Sequence, residues 1–214
     1  DFINRKLVAH VYGIRDGRSI DIDGMKSIEI PYTSYEEQKT IGDYLDSLDH
    51  LITLHQRKCD ETKQLKKFML QKMFPKNGEK NPKIRFEGFT DDWEQRKLGE
   101  VVGIYDGVHQ TPQYQDSGIM FLSVENITTL KSEKYISEEA FERDYKVYPE
   151  KGDILMTRIG DVGTTNVVQT KEKVAFYVSL ALLKPKEINS YFLSNAMKTS
   201  VFQKGLRERT LVTA

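Results

Sequence analysis

The chain lacks a disulfide framework, because Cys59 is the only cysteine among its 214 residues. A single thiol is typical of a reducing compartment, so we expect a cytoplasmic protein. No apolar run approaches the ~20 residues needed to cross a bilayer, and no signal peptide is visible. Because the first residue is Asp1 rather than Met, we expect a processed or truncated chain, or part of a longer one.

The chain also lacks a net charge, with 32 basic and 32 acidic residues. This balance excludes nucleic-acid binding by bulk charge alone but leaves room for local basic faces. The length allows a sizeable core in one or two domains.

Catalytic motifs are missing as well. There is no G-x-x-x-x-G-K-[ST] loop, which excludes an ATP-driven motor within these residues. Asn81-Pro82-Lys83-Ile84 begins like an amino-methyltransferase signature but lacks its second proline and aromatic residue. The four histidines are scattered without metal-ligand spacing. We therefore predict a protein that is not an enzyme, with no cofactor and no metal.

One stretch, residues 34–74, has no proline and no glycine after Gly42, which predicts a long helix. Ser34 and Glu37 form a capping-box pattern at its start, and Pro75 ends it. About 40 helical residues would make a rod of roughly 60 Å.

Apolar residues recur along this helix in steps of three and four, which predicts a coiled-coil face. We expect it to pack antiparallel on a partner helix from elsewhere in the protein or from another copy. The alternative is an amphipathic helix packed on its own domain. His55 and Cys59, four residues apart on the same face, would supply only two metal ligands, which make no site. The predicted pairing residues are Ile41, Leu45, Leu48, Ile52, Cys59, Leu65, Met69 and Met73.

The regions beside the helix differ in composition. Residues 1–33 predict a short helix near Val8, a turn at 15–18, and strands at 19–22 and 27–31. Residues 75–92 are rich in Pro, Gly and charge and predict a linker. Residues 93–214 predict an α+β domain. Its expected strands are 101–105, 120–124, 153–158 and 174–183, and its expected helices are 137–145 and 190–206.

Several motifs, in compatible order, resemble the specificity subunits of type I restriction–modification systems. The resemblance covers nearly the whole chain. It rests on Trp93 with Lys97-Leu98-Gly99-Glu100, on 106–114 (DGVHQTPQY), on 152–160 (GDILMTRIG), on 28–31 (IEIP) followed by 36–38 (EEQ), and on 65–74 (LKKFMLQKMF).

The resemblance implies two target recognition domains, separated by two long antiparallel helices, that each read half of a split DNA sequence. It also implies docking of adenine-methyltransferase (M) subunits and, with them, a restriction/translocase (R) subunit. On this basis residues 1–33 are the C-terminal piece of one recognition domain, 34–74 the spacer helix and 75–92 the linker. Residues 93–214 are a second recognition domain without its C-terminal piece.

A rigid spacer would hold these two pieces at its opposite ends. Either a longer native chain supplies the missing parts, or two copies pair antiparallel and complete each other. A weak echo between 2–7 and 202–207 is consistent with one repeat cut at an unusual place. A stable, folded monomer in solution would contradict the version with two copies.

Residues that donate hydrogen bonds to bases and phosphates are concentrated in the loop 106–115 and after the apolar strand that ends near Arg158. An ordinary polar loop, and an Arg158–Asp161 ion pair, are the alternatives. The candidate DNA-binding residues are His109, Gln110, Thr111, Gln113, Tyr114, Thr157, Arg158, Lys171, Lys173, Arg207, Arg209, Arg15 and Arg18.

Two other functions remain open. The chain could be a coiled-coil scaffold whose globular ends bind proteins rather than DNA. It could also be the recognition part of a self-sufficient restriction–modification enzyme with catalytic motifs elsewhere. A steep dependence of binding on salt would favour DNA over the scaffold.

Overall fold

The structure, a computed structural model, describes residues 11–14, 17–76 and 78–210. Side chains are described from residue 20 onward, with the same gap at 77. The chain divides into two compact units, residues 1–60 and 61–214. In the described part of the chain, no helix combines the length and apolar character that a membrane span needs. The short helix predicted near Val8 lies outside the described residues.

The first unit contains a hairpin of β1 (Val11–Ile14) and β2 (Gly17–Ile20), in which Val11 pairs with Ile20. A short helix, α1 (Ile22–Lys26), follows directly. Asp21 begins this helix, because its carboxylate accepts hydrogen bonds from the backbone of Asp23 and Gly24 at 3.2 and 3.1 Å.

The two strands predicted in this region are therefore mostly wrong. Only 19–20 lie in a strand, 22–26 are helical, and 27–31 form no strand. The cap at Asp21 satisfies the first-turn donors of a helix, and apolar alternation alone does not reveal such a local contact. Residues 27–31 also have no pairing strand among the described residues.

The predicted long helix is present as α2 (Tyr35–Lys72), 38 residues long. At its start the Glu37 amide donates to Ser34 Oγ at 3.4 Å, which is half of the predicted capping box. The Glu37 carboxylate accepts from the Thr33 hydroxyl instead of the Ser34 backbone. No residue of α2 is buried.

In the second unit the segment predicted as a linker is held against the end of α2. The Ile84 amide donates to the Lys72 carbonyl at 2.9 Å, and the Trp93 amide donates to the Lys80 carbonyl at 3.1 Å. Arg85 donates to the Asp91 carbonyl at 2.7 Å. These bonds close residues 72–93 into an ordered loop.

The rest of the second unit is built from two small sheets and short helices, which confirms the predicted mixture of helix and sheet. The elements are α3 (Leu98–Val101), β3 (Val102–Asp106), β4 (Ile119–Leu122), a 3₁₀ turn (Val124–Asn126), β5 (Tyr135–Ile136), α4 (Glu138–Asp144), β6 (Ile154–Thr157), β7 (Thr165–Val167), β8 (Val174–Phe176), β9 (Leu180–Pro185), α5 (Ser190–Met197) and α6 (Ser200–Arg207). The first sheet has the order β3-β9-β6-β7 and is antiparallel, and the second has the order β5-β4-β8 with β4 and β8 parallel.

Two predicted elements are each divided in the structure. The strand expected over 174–183 is β8 and β9, because the chain passes from one sheet to the other at residues 177–179. The helix expected over 190–206 is α5 and α6. Thr199 begins α6 by accepting from the Phe202 amide at 3.4 Å, so its hydroxyl competes with a continuous helix.

The core lies on both faces of β6 and β9. Leu155 and Leu182 belong to a cluster with Phe121, Phe141 and Phe176, whereas the next residues along each strand belong to a second cluster, which α5 covers. This alternation follows from the two-residue period of a strand. Burying each large apolar side chain contributes about 1.5–3 kcal/mol. Of the described buried polar side-chain atoms, none lacks a hydrogen-bond partner.

Candidate nucleic-acid interface

The strand order brings the two main candidate segments together. Strands β3 and β6 both pair antiparallel with β9 and so run parallel to each other. They end at Asp106 and Thr157, which lie opposite Ala181 and Leu180 at the start of β9. The segments that follow, 106–117 and 157–164, therefore leave the sheet side by side, and we call this region the 106/158 edge.

The loop 107–117 has fixed stems. The Val108 amide donates to the Phe176 carbonyl at 3.3 Å, and the Val178 amide donates to the Val108 carbonyl at 3.0 Å. At the other stem the Gln115 amide donates to the Tyr135 carbonyl at 2.9 Å. Gly107 is required at the first stem, because a Cβ there would lie 2.5 Å from the Tyr177 backbone. The residues between the stems are thus presented from two anchored ends.

The loop and α4 enclose a polar groove of about 710 Å³. Arg143 stands on the α4 side and is paired with Asp144 at 2.7 Å. Beneath it the buried Tyr145 hydroxyl donates to the Phe176 carbonyl at 3.1 Å, and burial raises the pKa of Tyr145. The loop side chains that line this groove include four of the candidates, His109, Gln110, Thr111 and Gln113.

Tyr114 stands apart from this groove. Its ring packs edge-on against Phe121, with 5.5 Å between the ring centroids, and remains 46% exposed. The Lys134 ammonium lies 5.6 Å from the Tyr114 centroid and pairs with Glu125 at 2.7 Å. Residue spacing does not reveal Lys134, because it lies 20 residues from Tyr114 and the antiparallel bridge between Gln115 and Tyr135 brings it close.

Arg158 lies at the 106/158 edge with its side chain 40% exposed. Its guanidinium pairs with Asp106 at 3.0 Å. Asp161, the partner considered from the sequence, instead accepts from the Thr164 hydroxyl at 2.8 Å. Thr157 is fully buried, and its hydroxyl accepts from the Thr164 amide at 2.9 Å, so it shapes the turn and does not face solvent.

Helix α6 packs against the same turn. Gln203 donates to the Gly163 carbonyl at 3.1 Å, and a Cβ on Gly163 would meet Leu206 at 2.6 Å. These contacts place the last turn of α6, with Arg207, beside the 106/158 edge. Arg209 donates to the Gly205 carbonyl at 2.8 Å, which ties its side chain to the end of α6.

The remaining candidates are not brought to this edge. Lys171 and Lys173 precede β8, at the end of that strand opposite Phe176. Lys173 pairs with Glu142 at 2.5 Å. Arg15 and the side chain of Arg18 lie outside the described residues, although the Arg18 backbone pairs in β2.

The predicted pairing face of α2 is open in the single chain. Ile41, Leu45, Leu48 and Ile52 are between 38% and 62% exposed, Cys59 is exposed, and Leu65 is 55% exposed. Met69 and Met73 are half-buried, where the loop 72–93 packs on the helix. Within the described ranges no three His, Cys, Asp or Glu residues group closely enough to hold a metal ion.

No family model matches the chain. Individual proteins that resemble it are specificity subunits of type I restriction enzymes. The type I restriction enzyme MjaVIII specificity subunit of Methanocaldococcus jannaschii is 24% identical over 209 residues, covering 91% of this chain and 49% of that protein. The MjaIX specificity subunit of the same organism is 30% identical over 154 residues, covering 61% of this chain and 33% of that protein. The chain is a homologue of type I restriction specificity subunits.

Solved structures of specificity subunits share the fold of this homologue. The S subunit from M. genitalium matches 97% of the chain with a TM-score of 0.63 at 17% identity. The HsdS subunit from Thermoanaerobacter tengcongensis matches 100% of the chain with a TM-score of 0.50 at 20% identity. Each match covers 52% of the solved chain, so the homologue spans about half the length of the relatives it matches.

Proposed function

We propose that this chain reads one half of a bipartite DNA target within a type I restriction–modification complex and has no catalytic activity of its own. The supporting observation is the meeting of the loop 107–117 and the Arg158 turn at one sheet edge, in a homologue of specificity subunits. In this proposal the complex acts in the cell through M and R subunits that the chain recruits.

The side chains at the 106/158 edge suit base readout. Gln110 and Gln113 can each make two hydrogen bonds to an adenine, and Arg158 can do the same with a guanine. The exposed ring of Tyr114 is suited to stacking or to a phosphate contact, and Arg207 to a phosphate. We leave Thr157 out of the DNA surface because it is buried.

Helix α2 is the spacer in this proposal. Its exposed apolar face pairs with an antiparallel helix, and the pair separates the two recognition domains and offers a surface to the M subunits. Residues 1–33 and 93–214 are then parts of different recognition domains, joined through 34–74 and the linker 75–92. With two copies, the tail of each chain would complete the recognition domain of the other.

Methylation mapping tests the reading function. The chain is expressed with an adenine-methyltransferase partner, and methylated adenines are mapped across a genome. We expect a single bipartite motif, and exchanging residues 108–115 for an unrelated loop of equal length should change its sequence. Methylation without a motif, or a motif that survives the exchange, would contradict the proposal.

A shortened spacer tests the role of α2. Deleting residues 46–52 removes one heptad, keeps the apolar face in register and shortens the helix by roughly 10 Å. The gap between the two half-sites should then shrink by about three base pairs, because duplex DNA rises ~3.4 Å per pair on each strand. An unchanged gap would show that α2 does not set the spacing.

An exposed apolar helix face also suits a protein-interaction scaffold without DNA specificity. Titration across salt concentrations separates the two functions. For phosphate contacts, the logarithm of the binding constant falls against the logarithm of salt concentration with a slope of about −0.9 per neutralised phosphate. Protein docking does not require such a dependence on salt. A flat slope for the assembled complex would favour the scaffold.

A further inference from the structure

An apolar groove of about 510 Å³ lies at the C-terminal end of α2, entirely within the second unit. Met69 of α2 and Met73, directly after the helix ends, form one wall, and the loop 72–93 forms the other. An apolar groove on a protein surface usually marks a contact with a partner.

The floor of the groove is a fixed aromatic cluster. Phe74, Trp93 and Phe192 contact one another, with ring centroids 5.4 to 6.1 Å apart. At the rim Phe86 and Phe89 are 70% and 66% exposed. Exposed rings next to a packed aromatic cluster favour the binding of an apolar segment in this groove.

The chain carries an exposed apolar segment that fits this description, residues 30–35 (IPYTSY). Ile30, Tyr32 and Tyr35 are 66%, 85% and 74% exposed. The segment is tied to the first turn of α2, because Gln38 donates to the Thr33 carbonyl at 2.6 Å. Residues 30–35 are therefore held at the N-terminal end of α2.

Complementary charges on α2 favour a contact between the groove of one copy and residues 30–35 of another copy. Residues 35–50 of α2 contain five acidic residues and one lysine, and residues 57–72 contain six basic and two acidic residues. Antiparallel pairing places the net −4 half of one helix against the net +4 half of the other, whereas parallel pairing opposes like charges. With full overlap, Tyr35 of one copy lies beside Lys72 of the other, next to the groove.

The rim charges agree with this direction. Lys66 lines the groove, and burial, with a contribution from the charge of Lys66, lowers the pKa of Lys198. Two neighbouring ammonium groups favour an incoming carboxylate. Glu36 and Glu37, directly after the exposed segment, supply carboxylates in the first turn of the partner's helix.

We propose that this groove receives residues 30–35 of a second copy of the chain, with Tyr32 and Ile30 as the apolar anchors. The inference rests on the antiparallel pairing in the proposed function and adds a specific contact at each end of the helix pair. By twofold symmetry the contact occurs twice. It fixes the axial position of the two helices as well as their direction.

The test uses Trp93, the only tryptophan, as a reporter inside the groove. Dimerisation of the 214-residue chain is followed by sedimentation equilibrium and by Trp93 emission over a concentration series. The double variant Ile30→Ser/Tyr32→Ser removes the anchors, and Ile22→Ser, which alters a 62% exposed residue of α1, is the matched control.

We expect Trp93 emission to shift to shorter wavelength as the wild-type dimer forms. The double variant should raise the dimer Kd at least tenfold and abolish the shift, while Ile22→Ser leaves both unchanged. A wild-type Kd in the double variant, or Trp93 emission that ignores concentration, overturns the groove contact alone. A chain that stays monomeric overturns the pairing of copies as well, and neither result touches the DNA-reading test by methylation.

Discussion

The α+β domain and helix α2 place their apolar side chains in opposite ways. In the domain, Phe121, Phe176 and Leu182 are at most 1% exposed. In α2, which is 38 residues long, no residue is buried. The domain thus buries its core within one chain, whereas the apolar face of α2 stays largely exposed in the single chain.

This difference separates two sources of stability. Core burial is intramolecular and does not depend on protein concentration. The proposed pairing of α2 between copies would follow mass action and strengthen as protein concentration rises. Substitutions in the core should therefore be detected by denaturation, and substitutions on the apolar face of α2 by measurements of dimerisation.

The largest effect is expected in the core. Phe176→Ala should lower the free energy of unfolding by about 3–5 kcal/mol, because it opens a cavity between the two sheets. Leu45 on α2 is 52% exposed. At protein concentrations below the dimer Kd, Leu45→Ala should therefore change the free energy of unfolding by less than about 1 kcal/mol. Urea denaturation of dilute protein measures both. Equal losses would show that α2 is packed within the single chain.

The next largest effect concerns the helix face. Leu48→Glu places a charge on the predicted pairing face in both copies and should weaken the dimer by at least about 2 kcal/mol, roughly 30-fold in Kd. His50→Glu adds the same charge outside that face and is the control. Sedimentation equilibrium reports the two constants, and similar values for both variants would refute pairing through this face.

The third prediction compares a cation at the 106/158 edge, Arg158, with a cation at the opposite end of β8, Lys171. Arg158→Gln removes a cation from the 106/158 edge and should cost about 1–3 kcal/mol in binding to the methylation-mapped target. Lys171→Gln removes a cation at the opposite end of β8 and should change affinity by less than about threefold. Competition binding at fixed salt distinguishes them. A larger loss for Lys171→Gln would move the DNA surface away from Arg158.

The smallest effect is expected at a single buried hydroxyl. Tyr145→Phe loses the hydrogen bond to the Phe176 carbonyl and should cost about 0.5–1.5 kcal/mol. Burial raises the pKa of Tyr145, so above pH ~10 the unfolded state releases this proton while the folded state keeps it. Stability should therefore fall as pH rises beyond that value, and less steeply in the variant. Identical alkaline slopes would contradict the assignment.

Much of the secondary structure was predictable because it depends on local patterns. The long helix, the strand ending near Arg158 and the helix over residues 138–144 follow from periodicity and capping residues. The predicted strand over 27–31 failed because a strand needs a pairing partner, which composition cannot supply. The predicted single helix over 190–206 is two helices, because the Thr199 hydroxyl accepts the Phe202 amide and so competes with the helix backbone.

The candidate DNA surface divides in the same way. The polar composition of the loop 107–117 and the position of Arg158 after a strand were readable from the sequence. That Arg158 pairs with Asp106, that Thr157 is buried, and that Lys134 approaches Tyr114 depend on which strands are neighbours. Strand order is a non-local property, so residue spacing could not give these contacts.

By itself the sequence determined the length and apolar face of α2, the mixture of helix and sheet, and the resemblance to specificity subunits, because these depend on period, propensity and motif. Only the tertiary structure decided that the two polar segments meet at one sheet edge. Only the tertiary structure, too, closed the loop 72–93 onto the end of α2 to form the apolar groove. Both results require residues far apart in the chain to lie side by side, which strand pairing and loop closure achieve.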